Sequence, residues 1–141
     1  MIQIVEIVEI VEPALFLGAS SISFYIDRHR GCNDVKLFIH HCLSIFLHFG
    51  WLSSDPLILK LYLMVPLITM VHWLLNRNRC MATEQYNIEC NLPKDEPFND
   101  IINLVGLKRY SWWNNVGHYV YLILAFMIAV FKSNGFYRFK G

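Results

Sequence analysis

The chain has 141 residues, of which 55% are hydrophobic and 16% are charged, and its formal net charge is +1. This length is enough for one domain, and the charged share lies well below the roughly 25% of a typical soluble domain. A soluble domain of this size buries only part of its chain, so it cannot hide that much apolar surface. A net charge near zero argues against a nucleic-acid surface, which needs a basic patch. We therefore expect one membrane domain over residues 1–141, with the lipid bilayer as its main partner and no nucleic acid.

The chain begins with three repeats of Ile-Val-Glu, which place Glu6, Glu9 and Glu12 at intervals of three. Since no Lys or Arg precedes Arg28, this segment is not typical of a secretory signal. As a helix, residues 1–12 present an acidic stripe that drifts slowly around an apolar surface. We predict an amphipathic helix near the membrane interface; partial disorder of so simple a repeat is the alternative.

The next segment, residues 13–27, is apolar but short. At about 1.5 Å per residue it reaches ~21 Å, against ~30 Å of hydrocarbon. It predicts either a short fourth span, with Glu12 and Asp27 at the two surfaces, or a re-entrant helix. Pro13 suits the first turn of a helix, where a backbone N–H is not needed.

Three longer apolar segments, residues 36–54, 57–75 and 113–131, have the length of transmembrane helices. Asp55 followed by Pro56 predicts a tight turn and a helix start, so the first two helices form an antiparallel hairpin. Aromatic residues at the start of the last segment are typical of a membrane interface. The predicted fold is therefore all-α: an integral membrane helical bundle of three to four transmembrane helices.

A polar loop, residues 76–112, separates the last two spans, and a basic tail, residues 132–141, closes the chain. Within the loop, the pattern from Pro97 to Gly106 predicts a short amphipathic helix. Residues 27–36 and the polar loop lie on the same side of the membrane and hold eight of the twelve Lys and Arg residues. The positive-inside rule therefore predicts that both loops are cytosolic, although the basic tail lies on the opposite side.

Several potential metal ligands lie at similar depth near the loop side of the predicted membrane. They are His41, His72, His118, Cys80 and Glu84. Imidazole, thiolate and carboxylate all ligate zinc or iron. No HxxxH, HxxEH or CxxC spacing supports such a site, and histidine is also common at interfaces. We therefore name no catalytic residue and no cofactor, and we keep a metal site as the alternative.

Three polar residues form a stripe on the helix at 36–54. His41, Ser44 and His48 recur at intervals of three and four, so they share one face. Polar groups in hydrocarbon need partners, which predicts that this face contacts the rest of the bundle. The neighbouring His40 points about 100° away from His41, so the two cannot easily bind one metal.

A second set of polar residues follows the helix at 57–75. His72, Asn76, Cys80 and Glu84 share a face if that helix continues beyond Leu75. The alternative is a helix cap followed by a loop, with Thr83 and Glu84 beginning another helix.

The two cysteines of the polar loop allow two interpretations. Cys80 and Cys90 form a disulfide in an oxidising compartment and stay reduced in the cytosol. The predicted cytosolic orientation favours the reduced form.

Four short motifs resemble a family of small, uncharacterised multi-pass membrane proteins known mainly from large DNA viruses. They are FGWLSSD at 49–55, HW-x2-N-x3-C-x2-TE at 72–84, CNLP at 90–93 and VGLKRY at 105–110. The resemblance implies a membrane protein in which His72, Asn76, Cys80 and Thr83 form a unit, and it implies no reaction. We expect a structural or interaction component of a membrane or membrane complex, alone, as a homo-oligomer or with other membrane proteins. The alternative is a membrane-embedded metal-dependent enzyme.

Overall fold

The computed structural model describes residues 4–27 and 35–134, and these ranges contain helices and turns but no strand. This confirms the predicted all-α fold. In the described part of the chain, the 3₁₀ turns Gly50–Leu52 and Leu107–Arg109 and the π-helical turn Trp113–Gly117 join or extend the α-helices. The α-helices are α1 (Ile4–Asp27), α2 (Val35–Phe49), α3 (Pro56–Leu75), α4 (Met81–Glu89), α5 (Ile101–Leu104) and α6 (His118–Ser133).

Within the described ranges, three helical segments are long and apolar enough to cross a membrane. They are Val35–Leu52, Pro56–Leu75 and Trp113–Ser133, with mean hydropathies of 1.3, 1.8 and 1.6. Their ends lie within two residues of the predicted segments. Only 17% of Pro56–Leu75 is buried inside the bundle. Because so apolar a helix is stable only in an apolar solvent, its outward face is suited to lipid.

α1 differs from the prediction in its extent. It is one helix of 24 residues that includes both the acidic repeats and the apolar segment, and Pro13 lies inside it rather than in its first turn. A proline removes one backbone hydrogen bond, which a helix of this length can tolerate. α1 packs along α2. It is not among the three segments above, and a span over 13–27 stays a prediction.

The turn between α2 and α3 has the predicted form. The Asp55 side chain accepts hydrogen bonds from the N–H groups of Leu57 (2.6 Å) and Ile58 (3.3 Å), and Pro56 opens α3. Glu12 of α1 accepts hydrogen bonds from Ser53 Oγ (2.8 Å) and from the backbone N–H of Ser54 (3.0 Å). The hairpin turn and α1 are therefore fixed to each other at this end of the bundle.

The main apolar core lies between α3 and α6. It contains Leu59, Tyr62, Ala125 and Ala129, all of them buried. The two alanines let the helices approach closely, as small residues do in membrane bundles. The Tyr62 hydroxyl donates to the backbone oxygen of Leu47 (3.1 Å), which joins this core to α2.

The polar segment between α3 and α6 folds over the ends of α1 and α2. Tyr86 and Phe98 pack with Leu37 of α2 in a second apolar cluster. The helix predicted from Pro97 is shorter: α5 begins after Asp100, whose side chain caps it through the N–H of Asn103 (3.0 Å). Asp100 rather than Pro97 starts the helix because its carboxylate satisfies a free N–H.

Two predictions lie wholly or partly outside the described residues. The first loop contains Arg28, Arg30 and Cys32, and the basic tail continues from 135 to 141. The count of Lys and Arg that supports the orientation therefore stays a statement about sequence.

Candidate functional site

The predicted polar stripe of α2 lies at the interface with α1 and the polar segment. His41, Ser44 and His48 are all buried, as predicted. The His41 side chain lies between two α1 side chains: Nδ1 is 2.8 Å from Ser23 Oγ, and Nε2 is 3.2 Å from Asp27 Oδ2. In the tautomer with the proton on Nε2, Nε2–H donates to Asp27 and Nδ1 accepts from Ser23.

These three residues have the types of a hydrolase triad but not its arrangement. In a triad the serine contacts Nε2 and the carboxylate contacts Nδ1. Here the two contacts are reversed, and Ser23, Asp27 and His41 are 2%, 1% and 0% exposed. A substrate has no access to side chains buried to this degree. The arrangement therefore joins α1 to α2 rather than forming a nucleophile.

A second polar contact joins α2 to the polar segment. Asp100 Oδ2 accepts from Lys108 Nζ (3.0 Å) and from Ser44 Oγ (3.3 Å). Lys108 Nζ also donates to the backbone oxygen of Phe98 (2.8 Å). Since Asp100 also caps α5, one carboxylate fixes the position of this short helix against the stripe.

The neighbouring His40 has a different environment from His41. Its ring stacks on Phe98 with 4.0 Å between centroids, and its Nε2 is 3.6 Å from Cys80 Sγ. Phe98 also contacts the His41 ring, with centroids 4.6 Å apart. The two histidines thus contact one aromatic ring but have separate polar partners.

The residues at the end of α3 surround a turn rather than extending the helix. α3 ends at Leu75, and Arg77 and Asn78 adopt left-handed backbone conformations with φ of 53° and 62°. The Asn76 side chain donates to the backbone oxygen of Arg79 (3.0 Å). The interpretation in which one helix face continues beyond Leu75 is therefore wrong, and the alternative of a helix cap followed by a turn is correct.

α4 begins at this turn. Its N-cap residue lies three residues before Thr83, the N-cap that the sequence suggested. Cys80 is its N-cap residue, and His72 Nε2 accepts the N–H of Met81 (3.1 Å). Thr83 lies in the first turn of α4 and is partly buried. Of the motif residues, His72, Asn76 and Cys80 thus lie around the turn, each with its own partner.

The five candidate metal ligands do not meet. His41 is held by α1, His72 accepts the N–H of Met81, and His118 Nδ1 is 2.7 Å from the backbone oxygen of Trp113. Glu84 forms ion pairs with Arg79 (3.5 Å) and Lys94 (3.8 Å). Among the described residues, no group of three His, Cys, Asp or Glu side chains is arranged to hold a metal ion.

The cysteines of the polar segment are in different states. Cys80 is a free thiol, whereas Cys90 is disulfide-bonded. A Cys80–Cys90 disulfide is therefore excluded. The nine-residue helix α4 lies between the two cysteines and keeps them apart.

A groove of about 310 Å³ lies between the start of α2 and α4. On its polar side, Glu89 accepts hydrogen bonds from Gln85 (2.9 Å) and Lys36 (3.1 Å). These two hydrogen bonds, of which the one from Gln85 has the larger effect, hold the pKa of the Glu89 carboxyl below its ordinary value. His40 and Tyr86 also line the groove.

Sequence reasoning missed Ser23 and Asp27 as partners of His41, and Asp100 as the partner of Ser44. One signal was available: buried polar groups need partners, and Asp27 ends an apolar segment that must lie beside the stripe.

Comparison of the chain with protein-family models, with curated proteins and with solved structures gives no match.

Proposed function

We propose that this chain is a small integral membrane protein that acts as a structural or interaction component of a membrane or membrane complex. The observation that carries the proposal is that its buried polar side chains form hydrogen bonds within the chain. Asp27, His41 and Asp100 bind other parts of the same chain, across α1, α2 and the polar segment. Groups committed to internal contacts stabilise a shape, whereas catalytic groups must reach a substrate.

The outward face of α3 is the surface that we propose for contacts with lipid and with other membrane helices. Leu57, Leu61, Ile68 and Leu75 are 65%, 58%, 62% and 82% exposed. In a bilayer such a face contacts acyl chains or a second helix, including one from another copy of this chain. The family resemblance suggests a viral membrane as the setting.

We further propose that the polar segment faces the cytosol. The distribution of Lys and Arg supports this orientation. The disulfide at Cys90 favours the opposite, oxidising side, because cytosolic thiols are kept reduced.

The proposal predicts an assembly that depends on α3. Single cysteines introduced as Leu61→Cys and Ile68→Cys, in a chain with Cys42→Ala and Cys80→Ser, should form cross-linked dimers in native membranes with a short bifunctional thiol reagent. The matched control is Ala129→Cys, which replaces a buried residue of the α3–α6 core and should not cross-link. Cross-linked partners are sized on denaturing gels.

A different result would favour a metal-dependent enzyme instead. The protein would stay monomeric with a cysteine at either α3 position, and the purified protein would contain near-stoichiometric zinc or iron. Loss of that metal in a His41→Ala/His72→Ala double variant would complete the case against a structural role.

A further inference from the structure

Most of the basic side chains at the polar-segment end of the bundle form ion pairs within the chain. The pairs are Lys36–Glu89 (3.1 Å), Arg79–Glu84 (3.5 Å), Lys94–Glu84 (3.8 Å) and Lys108–Asp100 (3.0 Å). Arg77 and Arg109 differ, because neither forms an ion pair with a carboxylate of the described residues. Both side chains are exposed. They therefore offer positive charge that no acidic side chain in the described part of the chain neutralises.

Both arginines lie just outside the ends of membrane-length helices. Arg77 follows the segment Pro56–Leu75 by two residues, and Arg109 precedes the segment Trp113–Ser133 by four. These two ends are on the same side, since the Tyr119 hydroxyl of α6 donates to the Asn78 side chain in the turn after α3. The polar headgroup region extends roughly 5–7 Å beyond the hydrocarbon on each side of a bilayer, so the long arginine side chains can reach it.

Exposed apolar and aromatic side chains adjoin each arginine in the sequence. Leu74 and Leu75, just before the first arginine, are 69% and 82% exposed. Tyr110 and Trp112, just after the second, are 56% and 58% exposed. Leucine side chains exposed to this degree favour acyl chains over water, and tyrosine and tryptophan favour the membrane interface. Each arginine thus lies beside a surface that is suited to a molecule with both an acyl chain and an anionic group.

We propose that Arg77 and Arg109 bind the headgroup phosphates of anionic phospholipids, whose acyl chains lie against the neighbouring exposed apolar side chains. This inference rests on the membrane position proposed above and names a lipid partner for that surface. A guanidinium group matches two phosphate oxygens with two N–H donors. Because neither guanidinium binds a described carboxylate, a phosphate can bind without breaking an ion pair. An anionic headgroup is favoured over a zwitterionic one because no ammonium group offsets its phosphate charge.

The test is native mass spectrometry of the full-length protein in a nonionic detergent, titrated with dioleoylphosphatidylglycerol or with dioleoylphosphatidylcholine. We expect the anionic lipid to bind more tightly by about fivefold or more, the effect of one basic residue beside an anionic headgroup. Arg77→Gln/Arg109→Gln removes both guanidinium groups and should lower the affinity for the anionic lipid by about tenfold or more. Equal affinities for the two lipids in the parent, or an unchanged affinity in this variant, would overturn the proposal.

Arg79→Gln/Lys94→Gln is the matched control, because it removes the same charge from the polar segment but takes it from cations that bind Glu84. It should change the affinity by less than about threefold, since charges away from the bound phosphate are screened. A loss as large as in the arginine variant would show an effect of net charge alone and overturn the proposal.

Two further results separate this inference from its alternatives. Inorganic phosphate should give no adduct, and an adduct that depends on Arg77 would assign the site to free anions instead of lipid. If the arginine variant binds the anionic lipid as the parent does, while the protein stays in the membrane fraction of cells, this inference fails and the membrane position stands. A parent protein that is soluble without detergent would defeat both.

Discussion

At the scale of single residues, the molecule depends on a buried imidazole with two polar partners. His41 is fully buried and contacts Ser23 and Asp27, which precede it by 18 and 14 residues. Burying a carboxylate and an imidazole is costly, and their mutual hydrogen bonds offset that cost only while both are present. The contact therefore fixes the register between α1 and α2 more than it adds to stability.

Replacing His41 tests this contact. His41→Ala removes the hydrogen-bonded partner of a buried carboxylate and should lower the free energy of unfolding by roughly 3 kcal/mol or more. Ser23→Ala removes one hydrogen bond, and the expected loss is about 1 kcal/mol. Both are measured by denaturant titration in detergent, followed by circular dichroism. A loss in His41→Ala no larger than in Ser23→Ala would show that the pair is dispensable.

At the scale of elements, the α2–α3 hairpin depends on close packing at its turn. Gly50 lies against the Tyr62 ring, where a Cβ atom would be 2.6 Å from Cδ2 of Tyr62 and 2.9 Å from Cε2 of Phe46. Tyr62 is fully buried and bonds the backbone of α2. A side chain at position 50 would therefore move the ring on which α2 and α3 meet.

Gly50→Ala should be destabilising by about 1–3 kcal/mol, because the inserted methyl group overpacks this core. The matched control is Gly18→Ala in α1, where nothing lies within 4 Å of the new Cβ atom. That change should be stabilising by roughly 0.5–1 kcal/mol, since alanine favours a helix over glycine. Thermal unfolding in the same detergent compares the two. Equal effects would contradict the close contact at Gly50.

At the scale of the whole molecule, the polar segment forms a folded layer over one end of the helical bundle. Its apolar side chains pack on Leu37 of α2, and Asp100 bonds the buried stripe through Ser44. Cys80 lies in this layer as a free, partly exposed thiol. It therefore reports on which side of the membrane the layer lies.

Labelling of Cys80 in sealed vesicles tests both the membrane position and the orientation. With the cytosolic face inward, a membrane-impermeant maleimide should label Cys80 only after detergent opens the vesicles. The background variant Cys42→Ala removes the other free thiol among the described cysteines, and Cys80→Ser gives the blank. Labelling of intact vesicles would place the segment on the opposite side, where the Cys90 disulfide is stable. Recovery of the protein in the soluble fraction would contradict the membrane position.

The sequence alone predicted the helices, and the membrane-spanning length and apolar character of three of them, because these depend on local properties. Long apolar runs must satisfy their backbone groups internally in lipid, so α2, α3 and α6 follow from composition and length. The Asp55–Pro56 turn and the inward stripe of His41, Ser44 and His48 also followed, since capping and helical periodicity act within a few residues. The extent of α1 was misjudged because a proline inside a helix and one at its start are locally similar.

Only the tertiary structure decided which polar groups meet. His40 is 40 residues from Cys80, and Ser44 is 56 residues from Asp100. Such pairs form because apolar packing brings distant segments together, and a buried polar group then binds whichever partner lies within reach. The candidate metal ligands were predicted to lie at a similar depth in the membrane, but each binds a nearer partner, as His72 binds the Met81 N–H. The depth of a residue in the membrane follows from counting residues along its helix, whereas its side-chain contacts depend on how the helices are rotated and packed.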